Sequence, residues 1–224
     1  MTKQLLLGVL AALLTATALA QDARPPTPPK YCNPCLFYGG DFSNSSDAAG
    51  LANEEDVLVS KAEVLGPFVV PKTQQWEAIG LFTNDLSSVD LIDPAQAAWS
   101  IASGVHAGKC GPALASGKGH ATFKPTGRSA FGENEFTTLV KIKAVHLKSG
   151  KYWLTTVPVC TNSSSCGSAR YFATSFEGKP LDPFGPPEPC NLSFADSKVF
   201  QSKCMPVFQN KGCGRFSAGV LGTK

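Results

Sequence analysis

The chain has 224 residues, 43% of them hydrophobic and 9% aromatic, with only 17% charged and a formal net charge of +3. These values fit one globular domain and exclude a disordered or collagen-like chain. No lysine or arginine cluster stands out, so the cations read as scattered and solvated, which argues against a nucleic-acid or anionic-membrane surface.

Residues 1–20 read MTKQLLLGVLAALLTATALA, with Lys3 at the start, an apolar run from Leu5 to Leu14 and an Ala18-Leu19-Ala20 site. This is the pattern of a secretory signal peptide. The apolar run is too short to span a bilayer, and no later segment is long and apolar enough to do so. The mature chain is expected to begin at Gln21 and to be secreted, extracellular or periplasmic. Residues 21–30, with Pro25, Pro26, Pro28 and Pro29, read as an extended linker. That leaves 31–224 as a single domain. Cys32, Cys35, Cys110, Cys160, Cys166, Cys190, Cys204 and Cys213 make an even count, and in a secreted chain that implies disulfides. Their connectivity is not readable from spacing, although the short TNSSS loop would allow Cys160 to meet Cys166.

The first motif of the domain is CNPC at 32–35. A redox C-x-x-C needs a strand before it and a helix after it. Here a proline-rich leader precedes and LFYGGDF follows without helical periodicity, so a structural disulfide is expected. Zinc is not expected, because no second C-x-x-C follows. Asp41, Asn44, Asp47, Asn53, Glu54, Glu55 and Asp56 offer oxygen ligands for Ca²⁺, but their spacing does not match an EF-hand loop. The same residue types make up any polar loop, so no metal is assigned.

VLVSKAEVLGPFVVP (57–71) reads as one or two strands. The body of the domain runs from Trp76 to Val159. WEAIGLF (76–82) is a strand expected to place Ile79 and Leu81 on one face and Trp76, Ala78 and Phe82 on the other. In AAWSIASGV (97–105), Trp99 and Ile101 share a face and Gly104 ends the run. In EFTTLVKIKAVHL (135–147), Val140, Ile142 and Ala144 alternate with Lys141 and Lys143, and then the parity switches at Val145 and Leu147. A β-bulge near Ala144 would account for the switch. Lys148-Ser149-Gly150 reads as a hairpin turn into KYWLTTVPV (151–159). Both faces of that strand are apolar, as in a central strand, while Pro158 places its last residues at an edge. Trp76, Trp99, Tyr152 and Trp153 are candidates for a sugar-stacking row, but inside apolar strands they read as core.

Residues 103–134 are Gly-rich, lack a P-loop, and carry Gly127 and Gly132 as turn residues. His106, His120 and His146 show no metal-binding spacing, and no G-x-S-x-G motif occurs. The C-terminal third holds five cysteines. ARYFATSF (169–176) and RFSAGVLG (215–222) read as strands around a proline-rich loop at 177–190. Sequons stand at Asn44, Asn162 and Asn191, each in an expected loop.

Several phrases together resemble a group of uncharacterised secreted bacterial β-sandwich proteins. They are LFYGGDF (36–42), GLANEED (50–56), GLFTNDL (80–86), AAWSIASGV (97–105), LASGKG (114–119), PTGRSAFGENEFT (125–137), GKYWLTTVP (150–158) and FSAGVLGT (216–223). The resemblance implies an extracellular β-sandwich without an assigned activity. Some members of the group carry a PEP-CTERM-type sorting anchor. No hydrophobic tail precedes Lys224, so anchoring by that route is not expected here.

The sequence is therefore read as an all-β, antiparallel β-sandwich of jelly-roll or immunoglobulin-like character, with about eight to ten strands, stabilised by disulfides. The leading function is a non-catalytic extracellular module that binds a glycan or protein ligand or serves structurally. The alternatives are a small secreted hydrolase on a β scaffold, or a proteinase inhibitor using the 177–190 loop. No catalytic, cofactor-binding or metal-ligating residue is assigned.

Overall fold

The computed structural model describes residues 28–42, 50–87, 96–160, 167–171, 193–209, 212–213 and 216–224. The expected signal peptide, most of the proline-rich linker, the three sequons, Cys166, Cys190 and the 177–190 loop lie outside these residues. The described chain is all-β. Its strands are β1 (Cys35–Tyr38), β2 (Gly50–Ala52), β3 (Ala62–Val70), β4 (Trp76–Ser87), β5 (Gln96–Ser103), β6 (Ala113–Ala130), β7 (Glu133–Leu147), β8 (Gly150–Pro158), β9 (Ser168–Tyr171), β10 (Ser193–Ser197), β11 (Ser202–Gln209), β12 (Gly212–Cys213) and β13 (Ala218–Thr223). No helix among the described residues is long and apolar enough to cross a membrane.

The strands pair antiparallel in the order β1-β13-β4-β7-β6-β5-β8-β3-β10-β11-β12, with β9 joining β2 to the end of β4. The long strand β6 is the pivot. Its first part, Ala113 to His120, pairs with β5, and its second part, from Ala121, pairs with β7. One apolar cluster draws Phe68 and Val70 of β3, Ile101 of β5 and Leu154 of β8 together with Leu36 and Phe37 of β1, Trp76, Ala78 and Leu81 of β4, Leu147 of β7 and Val220 of β13. Phe68 sits at its centre, stacked on Trp76 at 6.1 Å and within 6 Å of the rings of Phe37 and Tyr152. Trp76 and Trp153 are buried, and Trp99 and Tyr152 pack against the same cluster, so these four aromatics serve the core. Two disulfides, Cys32–Cys35 and Cys110–Cys204, join described cysteines, and Cys160 is also disulfide-bonded.

The expected strands in β5, β7, β8, β9 and β13 are present. The parity switch in β7 is a bulge: Ala78 pairs with Val145 and Gly80 with Lys141, so three residues of β7 face Ile79 alone. The same irregularity corrects the faces expected for β4. Leu81 joins Trp76 and Ala78 in the core, while Ile79 is exposed and Phe82 packs on the opposite side against Tyr31 and Tyr38. The turn at Lys148-Ser149-Gly150 does not close a hairpin. β7 pairs with β4 and β6, whereas β8 pairs with β5 and β3, so the turn carries the chain from one part of the sheet to another. The pairing of β8 with β3 stops at Leu154, but the end of β8 is not the open edge expected from Pro158: beside β5 on one side, it has Glu55 on the other, whose N–H donates to the Pro158 carbonyl at 2.9 Å. Residues 57–60 form a turn, with Asp56 Oδ1 accepting the Leu58 and Val59 N–H groups at 2.7 Å each, and β3 begins only at Ala62. Much of the Gly-rich stretch is strand β6. Gly132 turns the chain between β6 and β7 at φ +81°. Thirteen strands are described, more than expected, because several are two to four residues long.

Candidate functional site

The residues singled out in the sequence do not converge. Cys32 and Cys35 form their own disulfide, which holds Tyr31 edge-on to Phe82 at 5.1 Å. The candidate calcium ligands go separate ways. Asp41 pairs with Arg128 and accepts the Tyr38 hydroxyl. Asn53 is buried and donates to Asp85 Oδ1 at 2.8 Å and to the Thr156 carbonyl at 2.9 Å. Glu54 accepts the Ser168 N–H, Glu55 pairs with Lys118 at 2.7 Å, and Asp56 caps its turn. Asn44 and Asp47 lie outside the described residues. All three histidines are exposed. His106 sits in the β5–β6 turn, whereas His120 is opposite Gln96 at the other end of β5. Strand rise separates the two by roughly 25 Å. His146 is opposite Glu77 on β4.

Three polar constellations remain, and two of them are structural. The first is buried between β2, β4, β7, β8 and β9. Asp85 is fully buried and accepts hydrogen bonds from Asn53, from the Thr83 hydroxyl at 2.9 Å and from the Thr138 hydroxyl at 3.0 Å. Burial pushes its carboxyl up to about 6, against the opposing pull of the Arg170 charge and these donors. Arg170 is equally buried, donates to the Val64 carbonyl at 2.6 Å and lies over the Phe216 ring. Burial lowers it to about 10. With neither charge reaching solvent, this network ties the β2–β9 ribbon to β3 and β4. The second constellation centres on Arg128 of β6, which binds Glu135 of β7 through two hydrogen bonds of 2.7 and 2.8 Å, pairs with Asp41 and lies 5.2 Å from the Phe42 ring. Its Nε, Nη1 and Nη2 each bond a carboxylate of the same chain.

The third constellation opens to solvent. Between β2, β3 and the β10–β11 hairpin lies a cleft of about 300 Å³, adjoined by a hollow of about 340 Å³. Glu63, Asp196 and Ser197 line both. The antiparallel register sets Asp196 of β10 directly opposite Glu63 of β3. Like charges in that position repel. Glu63 Oε1 pairs with Lys61 Nζ at 2.9 Å, with only 12% of the side chain exposed, and its Oε2 is buried without a hydrogen-bond partner among the described residues. Burial raises the Glu63 carboxyl above its ordinary range, Lys61 opposes the rise, and Asp196 and Glu55 add to it. Asp196 Oδ1 accepts the Cys204 N–H at 3.2 Å. The Ser197 hydroxyl, on a residue only 5% exposed, has no hydrogen-bond partner among the described residues. The mouth is apolar: Phe200 at 59% exposure and Met205 at 52% stand on the hairpin, with Leu51 across from them.

One group of metal-ligand types comes together among the described residues, Cys110, Asp196 and Cys204, but its two sulfurs are bonded to each other. Sequence reasoning missed the cleft altogether. Glu63 and Asp196 are isolated acids far apart in the chain, and only the β3–β10 register joins them. The one signal in the sequence was Val199-Phe200, two large apolar residues in a polar stretch, SKVFQSK.

No protein-family model matches the chain, and no curated protein matches it.

Proposed function

We propose that this chain is a secreted, non-catalytic binding module, a disulfide-stabilised β-sandwich that takes its ligand in the cleft between β3 and the β10–β11 hairpin. The observation that carries the reading is a solvent-open cleft that sets exposed Phe200 and Met205 of the hairpin across from Leu51 of β2. Isolated apolar residues on a surface need no explanation, but a solvent-open, mostly apolar cleft that gathers them is the usual form of a binding site. The sandwich is supported by β6, which is shared between two sections of sheet whose side chains meet in one core. The likeness to secreted bacterial β-sandwich proteins and the leader at 1–20 support an extracellular address, as do the disulfides.

The test is a thermal-shift screen of the oxidised protein against soluble oligosaccharides and a heptapeptide library. A ligand at about one hundred times its Kd stabilises by about 2.7 kcal/mol, a shift of a few degrees in a domain of this size. The shift is expected to vanish in a Phe200→Ala, Met205→Ala double variant. A shift that persists there moves the site elsewhere, and chemical turnover of any panel member overturns the non-catalytic reading.

A further inference from the structure

We infer that the N-terminal half of β6 is an interface at which a second copy of this chain adds, strand to strand, to form a two-fold dimer. The inference goes beyond the binding-module reading and does not depend on it, because β6 forms no part of the cleft. From Ala113 to His120 the strand pairs with β5, and it meets β7 only from Ala121. Among the described residues, one edge of Ala113–His120 therefore has no strand beside it. Such an edge offers a row of backbone N–H and C=O groups to another chain. Burial agrees: Leu114, Ser116, Gly117, Lys118 and His120 are exposed, although Ala97, Ile101 and Ala102 of β5 beside them are buried. The other open edges are blunted in the usual ways. β1, β2 and β12 have four, three and two residues. Beyond Val140, β7 is bulged and carries Lys141 and Lys143, and the second half of β6 holds Pro125 and a register shift. The stretch 113–120 has no proline, a single lysine and a register shift only at Leu114.

The residues of this edge favour a second copy over an unrelated strand. A two-fold axis at Ser116 pairs the whole edge antiparallel, setting Ala113 opposite Gly119, Leu114 opposite Lys118 and Ala115 opposite Gly117. Lys118 then never faces its own copy, where like charges would repel. Its ammonium is held by Glu55 at 2.7 Å, and its methylenes lie where they cover Leu114 of the other copy, which is 51% exposed. Gly117 lies beneath the half-buried Trp99, since a Cβ there would stand 3.1 Å from the ring. The residue set opposite Gly117 is Ala115, too small to displace that ring in either copy. An edge closed on itself about a two-fold is no longer open to further chains, so association stops at two. A strand of this length makes a small interface, so the dimer should be weak and its population should follow protein concentration.

The experiment is sedimentation velocity on the oxidised full chain over a concentration series, with hydrogen exchange of the same samples. The expected result is a monomer–dimer equilibrium in which amides within 113–119 become protected as concentration rises. Leu114→Lys, which sets a lysine opposite Lys118 of the other copy, should weaken the dimer about tenfold or more, and so should Ser116→Lys at the axis. Leu114→Glu sets a carboxylate there instead and should dimerise at least as tightly as the native chain. That contrast separates strand pairing from the mere loss of an apolar side chain. Leu114 and Ser116 are exposed, so the melting temperatures of these variants at low concentration should match the native value and show that each is folded. A chain that remains monomeric throughout the series overturns the inference. So does a dimer that Leu114→Lys and Ser116→Lys leave unchanged, or one whose amides gain protection only outside β6. The Phe200→Ala, Met205→Ala variant should dimerise as the native chain does, so failure of the cleft and failure of the dimer are read separately.

Discussion

Asp85 is the residue at which burial and charge meet most directly. Its folded value of about 6 lies above the ordinary carboxylate range because desolvation outweighs Arg170 and three donors. A carboxyl raised by folding binds a proton in the native state that the unfolded chain releases. Its contribution is therefore fully present below the unfolded value and is lost as pH rises through about 6. The magnitude is on the order of 3 kcal/mol. Urea denaturation at pH 7.5 and pH 5 should show the protein more stable at pH 5, and Asp85→Asn should flatten that difference. At pH 7 both charges of the pair are present, so Arg170→Met, which strands a buried carboxylate, should cost about 3–5 kcal/mol. The double variant should lose less than the two single losses added together. The apolar counterpart is Phe68, with three aromatic rings around it. Phe68→Ala should cost about 3–5 kcal/mol through lost contacts and the cavity left behind, read from the denaturation midpoint.

At the scale of the element, β6 shows what holds a strand that has little side-chain hydrophobicity of its own. Most of its residues are exposed or half-exposed, and Gly117 leaves room for the Trp99 ring, which an added Cβ would meet at 3.1 Å. Ladder pairing to β5 and β7, together with the Arg128–Glu135 bond across the turn, keeps it in place. Arg128→Met should leave the buried Glu135 carboxylate without its cation at a cost of about 2–4 kcal/mol. The loss should be larger at pH 8 than at pH 5, since a carboxyl already raised by burial rises further without Arg128 and is neutralised in acid. This strand also marks where sequence reading ends. β5, β7, β8 and β13 were legible because each buries one face or two, and burial writes period two or a continuous apolar run into the chain. β6 buries almost nothing, so its glycines, Pro125 and scattered lysines carry no strand periodicity, and the stretch was read only as Gly-rich. The bulge in β7 was legible from the parity of Val145 and Leu147, but the matching shift in β4 was not, because its short apolar run fits either register. The cleft was illegible for a related reason: Glu63 and Asp196 become neighbours only when β3 and β10 pair.

For the whole molecule, the decisive covalent tie is Cys110–Cys204, which joins residues 94 apart in the chain. It links the β5–β6 turn to β11 and lies in a second apolar cluster with Leu65, Ala102, Trp153 and Phe194. In the chain-entropy view a closed loop of this length stabilises the fold by about 4–5 kcal/mol, against about 2 kcal/mol for the short Cys32–Cys35 loop. Cys110→Ser with Cys204→Ser should therefore lower the urea midpoint far more than the corresponding change at Cys32 and Cys35. The consequence reaches the cleft. The Cys204 N–H donates to Asp196, the Cys204 carbonyl accepts from Gly108, and Met205 at the mouth follows next in the chain. Removing the bridge frees the hairpin that carries Phe200 and Met205 from the β5–β6 turn, so ligand affinity should fall even where the variant remains folded. A double variant that binds as tightly as the native chain, at a temperature where both are folded, would show that the β3–β10 pairing alone positions the cleft and that the bridge serves stability only.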